Sequence, residues 1–197
     1  MVTMKVKLLL LMWLFPVLLL MPLFCVAEDK ELEHYVAEQH QILFDYVQNN
    51  SKFDPDFYIG LEQSIQGLII STEISKRVMG KAHYVNCSPE QFADFDSAFK
   101  NTLLNTYSST LFTVDNIDII NHYHPKNRTD LAVLNMQIDN TKLIYKMKQF
   151  NGEWRVIGMI FEGIDILKVF RQQFNRLVYV HKGDYDAVID EWTANLN

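Results

Sequence analysis

From residue 31 onward, apolar positions recur first at helical spacing, then with a period of two, then at helical spacing again. Over 31–48, Leu32, Tyr35, Val36, Gln39, Ile42, Leu43, Tyr46 and Val47 share one face, which predicts a helix ended by Asn49-Asn50-Ser51. Asp54-Pro55 opens a second helix, with proline where no donor is needed. Its stripe is Leu61, Ile65, Leu68, Ile69 and Thr72, and Gly80 sets a stop near residue 79. Ser88-Pro89-Glu90-Gln91 has the form of a capping box, in which Ser88 caps and Gln91 reaches back. The helix that follows carries Phe92, Phe95, Phe99, Leu103, Thr106, Tyr107 and Leu111 on one side. An aromatic stripe that wide must be buried against something.

From Val114 the period changes. Ile117-Asp118-Ile119-Ile120 predicts a strand. In 130–139, Ala132, Leu134, Met136 and Ile138 alternate against Val133, Asn135 and Gln137. In 142–149, Leu143, Tyr145 and Met147 alternate against Ile144, Lys146 and Lys148, and 153–161 makes a fourth strand. The connections are short: Pro125-Lys126-Asn127, Asn140-Thr141 and Asn151-Gly152, the last a strong hairpin signal. Four strands in succession make an antiparallel meander, covered on one face and wet on the other. Helices over 165–181, with Leu167, Phe170, Phe174, Leu177 and Val178 inward, and after Gly183-Asp184, with Tyr185, Val188, Ile189 and Trp192 inward, supply part of the cover. The expected class is α+β: one domain, a curled four-stranded antiparallel sheet with helices on its inner face around an apolar pocket.

Residues 1–27 are set apart from this pattern. Lys5 and Lys7 precede an apolar run from Leu8 to Phe24, then Cys25-Val26-Ala27 and the charged residues that begin at Glu28. That order predicts a cleaved secretory signal peptide over 1–27 and a folded domain over 28–197. An uncleaved membrane anchor is the alternative, because the run approaches a bilayer-spanning length. A lipoprotein site at Cys25 is disfavoured by the bulk of Phe24 just before it. The leader holds two of the 18 basic residues and none of the 24 acidic ones, so the formal charge of −6 becomes −8 over 28–197. This charge argues against nucleic acid and bare anionic membrane as partners. Cys87 would be the one cysteine left, too few for an internal disulfide.

The motifs of catalysis are missing: no GxSxG, HExxH, CxxC or glycine-rich phosphate loop occurs. His122-Tyr123-His124 places two imidazoles on one side of a strand, but two ligands without a third make a weak metal site. No metal and no cofactor is therefore expected. Glu162-Gly163 reads as punctuation where the last strand passes into a helix, with Glu162 favouring the helix start. The inward faces carry many methionines and aromatics and, by alternation, no buried ionisable base. A polar cofactor box needs converging polar groups; an apolar cavity needs none.

Gly152-Glu153-Trp154-Arg155-Val156, then Met159 to Leu167 (MIFEGIDIL), then Phe170-Arg171-Gln172-Gln173-Phe174, resemble the signature of the MlaC, or toluene-tolerance, family. There a W-K/R-V strand leads into E-G-V-S and Y-R-x-Q-F. The helix with Phe99-Lys100 and Tyr107, and the ending from Gly183 to Trp192, are also similar to that family. The resemblance implies a monomeric, non-enzymatic phospholipid carrier of the periplasm. Both acyl chains would lie between sheet and helices, with the headgroup left in water. It implies exchange with an inner-membrane MCE-domain/ABC transporter complex and an outer-membrane lipoprotein–porin complex, which maintains outer-membrane lipid asymmetry.

Joined to the inward faces, the resemblance implies an acyl-chain lining of Ile65, Leu68, Phe99, Leu103, Tyr107, Leu134, Met136, Leu143, Tyr145, Met147, Val156 and Met159. Hydrating roughly 30 acyl methylenes costs on the order of 20 kcal/mol, so a dry slot is the essential feature of a carrier. Asp165 in place of Ser, Phe170 in place of Tyr and the acidic charge depart from the family pattern. The rival readings are an adaptor protein with a solid core and an enzyme on a cone-shaped α+β fold.

Overall fold

The computed structural model describes residues 24–112 and 117–194, without the side chains of 24–29, 107, 109–111 and 127. The expected leader therefore falls almost wholly outside the described residues. The chain separates into two units, Met1–His34 and Tyr35–Asn197. Residues of α1 (Phe24–Asn49) fall in both units, and every later element belongs to the second.

Two short helices, α2 (Phe57–Ile65) and α3 (Ser71–Met79), stand where one continuous helix was expected. The turn between them has lost the acceptors that a helix would use. The Gly67 carbonyl accepts from Tyr35 Oη at 2.5 Å, and the Leu68 carbonyl accepts from the Val156 N–H at 2.7 Å. In a helix these oxygens would serve the amides of Ser71 and Thr72. Tyr35 Oη also accepts from Arg155 Nη1 at 2.6 Å, so one phenol ties α1 to the turn and to a strand.

A single turn, α4 (Lys81–Tyr84), leads to α5 (Pro89–Leu111). The capping box is formed in both directions. Ser88 Oγ accepts from the Gln91 N–H at 3.1 Å, and Gln91 Oε1 accepts from the Ser88 N–H at 3.0 Å. Ser88→Ala is expected to cost about 1 kcal/mol, read as a lower thermal midpoint.

Among the described residues the sheet has five strands in sequential order, all antiparallel: β1 (Ile117–Tyr123), β2 (Leu131–Ile138), β3 (Thr141–Phe150), β4 (Glu153–Phe161) and β5 (Ile164–Asp165). The fifth strand corrects the four expected. Glu162 (φ 48°) and Gly163 (φ 79°) form a two-residue hairpin turn, and Glu162 Oε1 accepts from the Lys142 N–H at 2.7 Å. They do not start a helix. The next helix, α6 (Ile166–Val180), is capped by Asp165, whose carboxylate accepts from the Lys168 N–H. The turn between β2 and β3 is Asp139-Asn140, one residue earlier than expected.

One irregularity decides which side chains of β4 face inward. Met147 pairs with Val156, yet Lys146 pairs with Gly158, so Ile157 is an extra residue in a bulge. The bulge shifts parity: Trp154 and Val156 face inward before it, and Met159 and Phe161, opposite Tyr145 and Leu143, after it.

The last helix is α7 (Tyr185–Ala194). Away from the sheet, α3, α5, α6 and α7 close a core of their own. Phe95 lies edge-on to Phe174 at 4.8 Å and to Trp192 at 5.3 Å, and Trp192 Nε1 donates to Thr102 Oγ1 at 2.8 Å. Edge-to-face rings at these distances gain beyond their buried area.

Candidate functional site

Between the sheet and helices α1, α2, α3, α5 and α6 lies a cavity of about 290 Å³. The strands contribute Ile117, Ile138, Leu143, Tyr145, Val156, Gly158, Met159 and Phe161. Helix α1 contributes His40, Leu43 and Phe44, and α2 with its following turn contributes Leu61, Ile65, Leu68 and Ile69. Ile74 comes from α3; Phe99, Leu103, Leu104 and Ser108 from α5; Ile166, Leu167 and Phe170 from α6. Among the described residues the wall is aliphatic and aromatic apart from three polar side chains: His40, Ser108 and Tyr145. Ser108 Oγ donates to the Asn105 carbonyl at 3.3 Å, so its hydroxyl is spent locally.

Of the expected lining, Ile65, Leu68, Phe99, Leu103, Leu143, Tyr145, Val156 and Met159 meet at this cavity. Leu134, Met136 and Met147 do not. They are buried at 0%, 2% and 1% exposure, so they belong to the solid part of the core. Alternation assigns them the inward face correctly but carries no information about position along the sheet. The cavity lies over the Ile138, Leu143 and Phe161 end, whereas Leu134 and Met147 are covered. The side chain of Tyr107 lies outside the described residues.

His40 and Tyr145 overturn the expectation that no ionisable base is buried among the inward residues. His40 is 4% exposed, and its Nε2 lies 3.2 Å from Tyr145 Oη. Desolvation pushes the imidazole pKa down to about 4 and the phenol up to about 12. Both are therefore uncharged at neutral pH, and the pair is a polar but neutral part of the wall. A signal for His40 was present: Val36, His40, Leu43 and Val47 recur at spacings of four, three and four, and all are buried. The lining expected from the sequence takes Met159 but not Phe161, two residues on and on the same face. Leu167 and Phe170 were read as inward but not as lining.

His122 and His124 have their rings edge-on at 6.0 Å, and His124 Nδ1 sits 2.6 Å from the Leu131 carbonyl. Among the described residues no group of three or more His, Cys, Asp or Glu is arranged to hold a metal ion. Cys87 is half-buried, and burial pushes its thiol pKa up, the opposite of nucleophile activation. No helix among the described residues is long and apolar enough to cross a membrane.

The family model described as MlaC protein matches residues 38–194. The chain belongs to the MlaC family. That span takes in the cavity wall and the helical core of this MlaC-family chain. A curated relative, the toluene tolerance protein ttg2D of Pseudomonas putida, is 25% identical over 183 residues, covering 89% of this chain and 85% of the relative. Among solved structures, a phospholipid-binding protein from Ralstonia solanacearum, determined in complex with a phospholipid, superposes with a TM-score of 0.66 at 19% identity. The match covers 83% of the MlaC-family chain and 97% of the solved one. At that identity the likeness establishes the shared α+β fold.

Proposed function

We propose that the protein is a periplasmic phospholipid carrier, and the observation that carries this reading is the cavity. It is roofed by helices, floored by the sheet and, among the described residues, lined by apolar side chains with only neutral polar exceptions. Such a wall suits acyl chains, for which it replaces the membrane interior. The Ralstonia protein, described as a complex with a phospholipid, and the match to the MlaC family support the same reading. In this reading residues 1–27 direct export and are removed, and residues 28–197 are the carrier. The partners are the inner-membrane MCE-domain/ABC transporter complex and the outer-membrane lipoprotein–porin complex. Lipid asymmetry of the outer membrane is the outcome. The cavity only equilibrates cargo, so direction comes from those partners.

A hydrolytic role finds little support. A general base works best with a pKa near the operating pH, and His40 lies well below it. A solid-cored adaptor leaves the cavity without a purpose.

Native mass spectrometry of the purified protein, followed by solvent extraction, tests the proposal. The expected result is a mass excess that extracts as phospholipid. Met159→Trp and Leu103→Trp, which fill the cavity from the sheet and from α5, are each expected to reduce recovered lipid about tenfold, or about 1.4 kcal/mol of binding. A bare polypeptide mass, together with no uptake from liposomes, would remove the carrier reading.

A further inference from the structure

The polar pair in the cavity wall has a hydrogen-bond donor left over. His40 Nε2 and Tyr145 Oη lie 3.2 Å apart and share one hydrogen bond. A neutral imidazole carries one N–H and a phenol one O–H, so that bond uses one of two donors. When Tyr145 donates to Nε2, the donor left over is Nδ1–H. That atom is buried and, among the described residues, has no partner. When Nε2–H donates to Tyr145, the donor left over is the phenol O–H. Tyr145 is half-buried and lines the cavity, so its hydroxyl is the donor that cargo can reach. A stranded donor costs free energy in either tautomer, and only the phenol can recover it from a molecule in the cavity.

The surroundings define the acceptor. Tyr145 stands on the central strand of the described sheet, paired with Leu134 on one side and Met159 on the other. Apart from His40, Ser108 and Tyr145, the described wall is apolar, and Ser108 is bonded within its own helix. A cargo segment that packs against such a wall is hydrocarbon. Burial leaves the imidazole and the phenol uncharged at neutral pH, so a carboxylate or phosphate would lie here without a counter-charge. The ester carbonyls of a phospholipid sit at its headgroup end and find donors in water. The group left to meet the phenol is a neutral oxygen on the acyl chain itself.

We infer that the His40–Tyr145 pair selects cargo whose acyl chain carries a neutral oxygen, such as a hydroxyl or a keto group. The inference rests on the phospholipid-carrier reading above and adds a preference among chains. In a bilayer interior such an oxygen has no donor to meet. In the cavity it meets the phenol O–H. A plain chain gains nothing from the pair in either place. The difference favours transfer of the oxygenated lipid from membrane to protein by the net worth of one hydrogen bond, or roughly fivefold. A free hydroxylated fatty acid offers the same chemistry, and the test separates the two sources.

The test incubates lipid-free protein with liposomes that hold equal amounts of two phosphatidylglycerols, one with stearoyl chains and one with mid-chain hydroxystearoyl chains. The protein is recovered, and its bound lipids are extracted and compared by mass spectrometry. Wild type is expected to be enriched roughly fivefold in the hydroxylated lipid. In Tyr145→Phe, which loses only the hydroxyl, the ratio should fall to parity. Because that change strands His40, His40→Leu/Tyr145→Phe removes both polar groups together and should give the same ratio. Each ratio is read within one protein, so a general loss of binding does not alter it. Equal recovery of the two lipids by wild type would overturn the inference, the phenol then being served by water, and would leave the carrier standing. Enrichment that persists in both variants would also overturn it. Free hydroxystearate that displaces both phospholipids alike would assign the donor to a free acid and overturn the preference among phospholipids. Recovery of neither lipid would remove the carrier reading and this inference with it.

Discussion

Replacing Trp192 with alanine is expected to lower the unfolding free energy by about 4 kcal/mol. Trp192 is 1% exposed and stands where α5, α6 and α7 meet. Its ring meets Phe95 at 5.3 Å and Phe99 at 6.0 Å, and its indole N–H is satisfied by Thr102. Truncation removes those ring contacts, opens a void and takes away the indole donor, while the Thr102 hydroxyl keeps its bond to the Ala98 carbonyl at 3.0 Å. Against a typical stability of roughly 5–15 kcal/mol this is a severe loss. Urea titration should show a lower midpoint at unchanged slope. A change below about 1 kcal/mol, the level of an ordinary surface substitution, would mean that α7 is not integral to the core.

The second large effect is a dependence of stability on pH set by His40. In the unfolded chain this imidazole has its ordinary pKa of 6.5; in the folded protein burial holds it at about 4. As the pH falls below 6.5, the unfolded state gains a proton that the folded state does not, so stability declines. The decline continues to about pH 4 and then levels off. The full effect is roughly 3 kcal/mol, at about 1.4 kcal/mol per pKa unit. His40→Gln can keep a hydrogen bond to Tyr145 and cannot titrate. The difference in unfolding free energy between wild type and His40→Gln, measured from pH 7 to pH 4, should follow that curve, while carboxylate titrations common to both proteins cancel. A flat difference would show that His40 is already protonated, or reachable by water, in the folded state.

Much of the architecture is legible in the sequence because its signals are local. The Ser88 to Gln91 box, the Asn151-Gly152 turn and the alternation of β2 and β3 each depend on residues that are neighbours in the chain. What is not legible depends on distant partners. The break between α2 and α3 is set by Tyr35 and Val156, which take up carbonyls across 32 and 88 positions. The third hairpin, Glu162-Gly163, is hidden because β5 is only two residues long and has no alternation of its own.

The site follows the same division. Phe99, Leu103, Leu143 and Tyr145 are legible from one-face periodicity and line the cavity. Met136 and Met147 share that periodicity and do not line it, since whether a face is packed or hollow depends on what lies across from it. His40 sat in the right helical register, but an imidazole on an apolar stripe is easily read as a solvent-facing break in the pattern.

The bulge at Ile157 sets which way the end of β4 faces. An added residue at the Asn151-Gly152 turn would lengthen a loop and leave every side chain in place. Deleting Ile157 would close the bulge and keep every other pair of the β3–β4 ladder, with Val156, Met159 and Phe161 still on the inner face. Drawing Ile157 into the ladder opposite Lys146 would do the reverse: Gly158 and Ile160 would turn inward and Met159 and Phe161 outward. In a lineage of such chains this position can be lost at little risk to the cavity, whereas a slip that absorbs it would exchange two wall residues without a single substitution.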